Sequence, residues 1–215
     1  MTALVPIPSP GVPLFYGRPG DPVVVVVHDM FGRLPSLEPF AEALASRGLR
    51  VAVPDLYEGV CTVDVAAAET LMSNLDIGTA LAELDDTVAM AQQTGTERVA
   101  LVGFSLGGWL TLLHAQAGSA DAVVAYYASL SDRDHGIIPC PVLLHWAEVD
   151  EWDDDEQPES LVRRLKDHGT PVTQHTYLGT QHSFANASLP DFLHAQAAAL
   201  AFARTTVFLE SHLKE

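Results

Sequence analysis

The chain has 215 residues, 48% of them hydrophobic, with 28 acidic against 11 basic side chains and a formal net charge of −17. That length buries one sizeable core and leaves little room for a second, so a single domain over 1–215 is expected. The charge excludes nucleic acid and anionic membrane as partners, because a polyanion is repelled rather than steered in. Two cysteines, Cys61 and Cys140, are too few for a disulfide framework, and a reducing, cytoplasmic setting is the simpler expectation. The N-terminal MTALVPIPSPGVPLFYGRPG has no basic leader and is broken by prolines, so it does not read as a signal peptide. The apolar run VVVVV at 23–27 is far below the roughly 20 residues of a membrane helix. Oligomeric state is left open, with the monomer the simpler assumption.

Residues 1–20 are rich in Pro and Gly and read as an irregular segment with at most a short edge strand or hairpin. PVVVVVH (22–28) is a β-branched run suited to burial on both faces of a parallel sheet. LEPFAEALASRG (37–48) has helical spacing, with Phe40, Leu44 and Arg47 on one side and Gly48 as a stop. A strand is predicted at 49–54, and helix from about 64 to 93, in two pieces divided near Gly78. Then come strand 98–103, helix 106–117, strands 121–128 and 141–147, helix 156–167, strand 171–177 and a last helix from about Leu189. Strands alternating with helices indicate right-handed βαβ units and a mostly parallel sheet with helices on both faces. Chemistry in such sheets gathers at the carboxyl ends of the strands.

Gly103-Phe104-Ser105-Leu106-Gly107 has the G-x-S-x-G form of an elbow that turns sharply and lifts a serine hydroxyl out of the sheet. Average usage of Gly and Ser would supply roughly 0.07 such matches in a chain this long, and this copy also joins a predicted strand to a predicted helix. A serine hydroxyl is a weak nucleophile without a base. In this type of sheet the partners follow in the order Ser, acid, His. His114 falls in the helix behind Ser105, His145 and His175 in strands, His168 at a helix end, and His194 and His212 in the last helix, while His135 precedes the good acid candidates. His182, in LGTQHSF between the last strand and last helix, is the base by position. The acid has to follow a strand and hold the imidazole tautomer, and PVLLHWAEVDEWDDD offers Glu148, Asp150, Glu151 and Asp153 without ranking them. The oxyanion hole needs the N–H of Leu106 and a second from the HDMFG loop (28–32), placing it at Met30; such a donor is worth about 10²- to 10³-fold in rate.

VVVVVHDMFG, AVPDLYEG and VALVGFSLGGW, followed by HWAEVD and GTQHSF, resemble the dienelactone hydrolase family from about residue 22 onward, in the family's order. The resemblance implies a single-domain α/β-hydrolase fold, with a mostly parallel central sheet, helices on both faces and no large cap domain. It implies Ser105 as nucleophile, His182 as base and Asp150 as acid, which separates the carboxylates that position alone leaves tied. It also matches Asp29 to an acidic residue, usually Glu, that touches the nucleophile in the resting state.

Two departures stand out. Well-known members carry Cys where this chain has Ser105, so activation rests on His182 rather than on a stored thiolate. Those members also grip a substrate carboxylate with arginines. Here one of those positions is Asn186, and residues 58–80 contain no Arg or Lys. A neutral ester, thioester or lactone is therefore the expected small-molecule substrate. Phe31, Tyr57, Trp146, Trp152 and Phe184 are candidates for an apolar pocket, whereas Trp109 is expected in the core. No cofactor or metal is expected, since EVDEWDDDE lacks the spacing of a calcium loop and no H-E-x-x-H occurs. The alternative is a catalytically weak ligand-binding or interaction protein on the same scaffold.

Overall fold

The computed structural model describes residues 4–93, 97–134, 136–152 and 158–214. In chain order the elements are β1 (Val5–Pro6), β2 (Leu14–Tyr16), β3 (Val23–Val27), α1 (Leu37–Ala45), β4 (Arg50–Val53), β5 (Val60–Cys61), α2 (Val65–Asn74), α3 (Ile77–Gln92), β6 (Val99–Phe104), α4 (Leu106–Ala115), β7 (Ala122–Tyr126), β8 (Val142–Val149), α5 (Pro158–Asp167), β9 (Val172–Gln181) and α6 (Ala195–Leu213). Seven strands form one sheet in the order β2-β4-β3-β6-β7-β8-β9, parallel except for β2, which is antiparallel to β4. The valine run alternates across it. Val23, Val25 and Val27 face a core shared with α3, α4 and α5, while Val24 and Val26 face one shared with α1 and α6. The connections are single helices, a helix pair or loops, and no helix among the described residues is long and apolar enough to cross a membrane.

Several boundaries differ from the sequence reading. The break in the second helical stretch falls at Leu75–Asp76 rather than Gly78, because the Asp76 carboxylate caps the N–H of Thr79 at 2.8 Å and starts α3 there. The last helix begins at Ala195; His194 is its N-cap, with Nδ1 accepting from the N–H of Ala197 at 3.2 Å. The segment before residue 20 is more ordered than expected. β1 pairs with β5, β2 joins the main sheet, and the buried Arg33 guanidinium donates to the carbonyls of Pro8, Ser9, Val12 and Val53. Such pairings join residues far apart in sequence and leave no periodic trace.

The main difference lies at β8 and β9, which run past their expected ends to Val149 and Gln181. They stay paired there, with a register irregularity between Ala147 and Val149, and Val149 opposite Gln181. Asp150 and His182 follow directly, so the extension delivers the two side by side.

Candidate active site

The elbow is built by close approach. A Cβ on Gly103 would sit 2.2 Å from the carbonyl oxygen of Gly107, and one on Gly107 would sit 2.4 Å from that of His28. Only glycine lets β6, α4 and the backbone at Val27–His28 pack at this distance. Between them Ser105 adopts φ 50°, ψ −118°, a strained conformation for an L-residue, held by its N–H donating to the Tyr126 carbonyl at 2.9 Å. The strain turns the side chain out of the sheet, and the Leu106 N–H, first in α4, has no intrahelical acceptor.

Ser105 Oγ lies 2.7 Å from His182 Nε2, and His182 Nδ1 lies 2.8 Å from both carboxylate oxygens of Asp150. A carboxylate can only accept, so Nδ1 carries the proton and Nε2 is left to accept from the serine hydroxyl. The Trp152 N–H donates to Asp150 Oδ1 at 3.2 Å, and two tilted rings flank the imidazole: Tyr127 at 4.9 Å and Trp152 at 6.1 Å, centroid to centroid. Of the other carboxylates once tied with Asp150, Glu148 accepts from the N–H of Gly179 at 2.6 Å, and Asp153 lies outside the described residues, as does His135. His114 pairs with Asp85 and Ser119, and His145 is buried among Tyr177 and Thr205.

The HDMFG loop (28–32) is fixed from several sides. His28 donates from Nδ1 to the Asp29 carbonyl at 2.7 Å and accepts at Nε2 from the Leu56 N–H at 3.1 Å, and burial lowers its pKa to about 4. The buried Asp29 carboxylate accepts from the Phe31 N–H at 3.0 Å and from Asn186 Nδ2 at 2.7 Å. Burial raises its pKa to about 6, against the pull of those two hydrogen bonds and of nearby His182. Asn186, at the position where the resemblance leads one to look for arginine, thus ties the loop after β9 to the loop carrying Met30. Asp29 is engaged by these two donors, while Ser105 Oγ meets His182.

A cleft of about 220 Å³ opens over Ser105, lined by Met72, Leu106, Trp109, Tyr127, Ala128, Ser129, Trp152 and the Asp150–His182 pair. Among the described residues, Asp150 is its one carboxylate, and no Lys or Arg lines it. Of the five aromatic residues expected at the pocket, only Trp152 lines the cleft, 48% exposed. Phe31, Tyr57, Trp146 and Phe184 are buried core side chains, Trp146 donating to Gln174 at 3.0 Å. Being near a strand end does not fix which way a ring turns, and these turn inward, where large apolar area is buried. Trp109, expected in the core, is half-buried and reaches the cleft. It sits one helical turn beyond Ser105 on the same face, a spacing that the sequence carried. Tyr127 was missed, although its place just past the carboxyl end of β7 marks it.

A mostly parallel sheet whose central strand ends in a glycine-walled serine elbow, with an acid and a histidine arriving from later strands, is the α/β-hydrolase fold. A family model for the dienelactone hydrolase family matches residues 14–213, and the chain belongs to that family of ester-bond hydrolases. It is 29% identical over 213 residues to a carboxymethylenebutenolidase of Rhodococcus opacus, covering 90% of this chain and 82% of the relative. It is 27% identical over 212 residues to carboxymethylenebutenolidase 1 of Cupriavidus pinatubonensis, covering 91% and 89%. Among solved structures, a dienelactone hydrolase-like promiscuous phosphotriesterase from metagenomic libraries superposes with a TM-score of 0.74 at 19% identity, over 93% of this chain and 92% of that one. That likeness is one of fold.

Proposed function

We propose that the chain cleaves a small, neutral ester, thioester or lactone through a Ser105–His182–Asp150 triad and an acyl-enzyme. The observation that carries this reading is the continuous hydrogen-bonded line from Asp150 through His182 to Ser105 Oγ, at 2.8 and 2.7 Å, on the strained elbow. As Oγ bonds to the acyl carbon, its proton passes to His182 Nε2, and the carbonyl π electrons move onto oxygen. The backbone N–H groups of Met30 and Leu106 receive that oxyanion. Collapse expels the alcohol or thiol, which takes the proton from Nε2. Water then attacks the acyl carbon, gives its proton to Nε2, and the second collapse returns the proton to Ser105 and frees the acid. Asp150 stabilises the imidazolium in both halves.

The neutral substrate class is supported by the cleft, where a carboxylate-bearing substrate would meet Asp150 and no cation among the described lining residues. Met72, Trp109 and Trp152 instead offer apolar surface. Asp29 and Asn186 act as a positioning pair between the oxyanion loop and the histidine loop.

The test is a panel of neutral and anionic esters, thioesters and lactones with wild type and Ser105→Ala, alongside fluorophosphonate labelling. Turnover of neutral members, lost in the variant together with the label, is the expected result. A preference for an anionic lactone overturns the substrate class, and an unlabelled Ser105 in wild type would favour a binding protein.

A further inference from the structure

The two edges of the main sheet are protected very differently. β2 is three residues long, begins after Pro13, and is followed by Gly17 and Arg18. β9, at the other edge, runs ten residues, VTQHTYLGTQ, without a charge or a proline. Soluble proteins blunt open edges with short strands, lysines, prolines or bulges. The irregularity against β8 begins only after Tyr177, so Val172–Tyr177 carries none of these devices.

The missing charge extends beyond the strand. From His168 to Leu209 the 42 residues hold one acidic side chain, Asp191, and one basic, Arg204, where the chain's average would place about five acidic ones. This stretch supplies both β9 and most of α6. A groove of about 630 Å³ opens where they meet the start of β8, with Pro141, Leu143, Pro171, Val207 and Phe208 among its walls. It lies away from the cleft over Ser105, and shares no lining residue with it. Leu178 is 78% and Val207 68% exposed, and Leu200 46%.

We infer that this flank is a homodimer interface, in which β9 of one chain pairs antiparallel with β9 of a second copy across a two-fold axis. Two chains at −17 repel over acidic surfaces, and the stretch that forms β9 and most of α6 is the part of the chain where like charges are nearly absent. A strand meeting its own copy about a two-fold perpendicular to the sheet edge does so antiparallel, and the contact is isologous and closed. Val172–Tyr177 against its copy supplies roughly six inter-strand hydrogen bonds, within the usual range of about ten ± five for a specific interface. The groove and Val207, beside the pairing edge, add the apolar burial that backbone pairing lacks. The pairing ends the exposure of an uncharged ten-residue edge and replaces the simpler assumption of a monomer.

Sedimentation velocity and light scattering on the full chain between about 5 and 100 µM should give twice the chain mass, with dissociation weakened as salt screens the residual repulsion. The double variant Leu178→Lys/Val207→Lys alters two exposed side chains, neither in the catalytic machinery. It should be monomeric at the same concentrations, with unchanged far-UV circular dichroism and ester turnover. Hydrogen exchange should show β9 amides protected in wild type and at least about tenfold less protected in the variant. A wild type that stays monomeric across the range overturns the inference, as does a dimer that the double variant leaves intact, or one whose β9 amides exchange alike in both forms. Because turnover is read separately, loss of the dimer and failure of the proposed chemistry remain distinguishable.

Discussion

The proposed nucleophile and the proposed acid of the candidate site are held by opposite means. Ser105 sits on an elbow where a single added methyl at Gly103 or Gly107 would collide with backbone, so packing within the sheet fixes it. Asp150 follows the end of β8 in a half-exposed turn, bounded by the exposed side chains of Glu148 and Val149, and is fixed by hydrogen bonds: Trp152 N–H to its own carboxylate, Glu148 N–H to Thr180 Oγ1, and Gly179 N–H to Glu148. A packed position resists change until it fails outright, whereas a hydrogen-bonded one should yield by degrees. The difference also explains why the sequence marks the serine sharply and the acid weakly.

The largest effect expected is on Ser105→Ala, which should lower kcat for a neutral ester by on the order of 10⁴- to 10⁶-fold while leaving the fold intact, measured by steady-state kinetics and thermal melting. Asp150→Asn should cost about 10³- to 10⁴-fold by presenting the wrong partner to Nδ1, whereas Glu148→Gln should stay within about threefold. Equal losses in those two variants would show that the acid has been misassigned. Gly107→Ala probes the packed side of the contrast. It should destabilise by about 3–5 kcal/mol in urea unfolding or prevent folding, because the atoms it meets are backbone and cannot move aside. Asn186→Ala leaves the Asp29 carboxylate short of a donor and should cost about 1–3 kcal/mol in stability, with kcat falling more than KM rises.

Acid stability gives a test of the whole molecule, in which two contributions oppose each other. Burial lowers His28 to about 4 and His145 to about 3, so both are neutral in the folded state, and the stability they allow is lost as pH falls from about 6.5. Burial raises Asp29 from 3.8 to about 6, so the folded state binds its proton more tightly, and Asp29 alone would make stability fall as pH rises between those values. Two histidines outweigh one carboxylate, and the urea midpoint should drop between pH 7 and pH 4.5. Asp29→Asn removes the opposing contribution and should steepen the drop; a shallower one would show that Asp29 is not buried as a strained anion.

Alternation of apolar strands with helices, the G-x-S-x-G elbow and a loop histidine after the last strand were legible because each is a local pattern. A strand buried on both faces has to be continuously apolar, and an elbow this tight has to be glycine. The short pairings of β1 and β2, the direction in which Phe31, Tyr57, Trp146 and Phe184 turn, and the arrival of Tyr127 against His182 were not legible, since long-range packing sets them.

What the sequence determined by itself was the sheet, the elbow and a short set of candidates for its partners, because period, size and chain order act over a few residues. What only the tertiary structure decided was which of them meet. The extension of β8 and β9 past their predicted ends brings Asp150 within 2.8 Å of His182 Nδ1, across 32 residues of chain, and Asn186 reaches Asp29 across 157. Strand pairing and the fit of side chains between layers depend on atoms from every part of the chain at once, and no single stretch of it carries them.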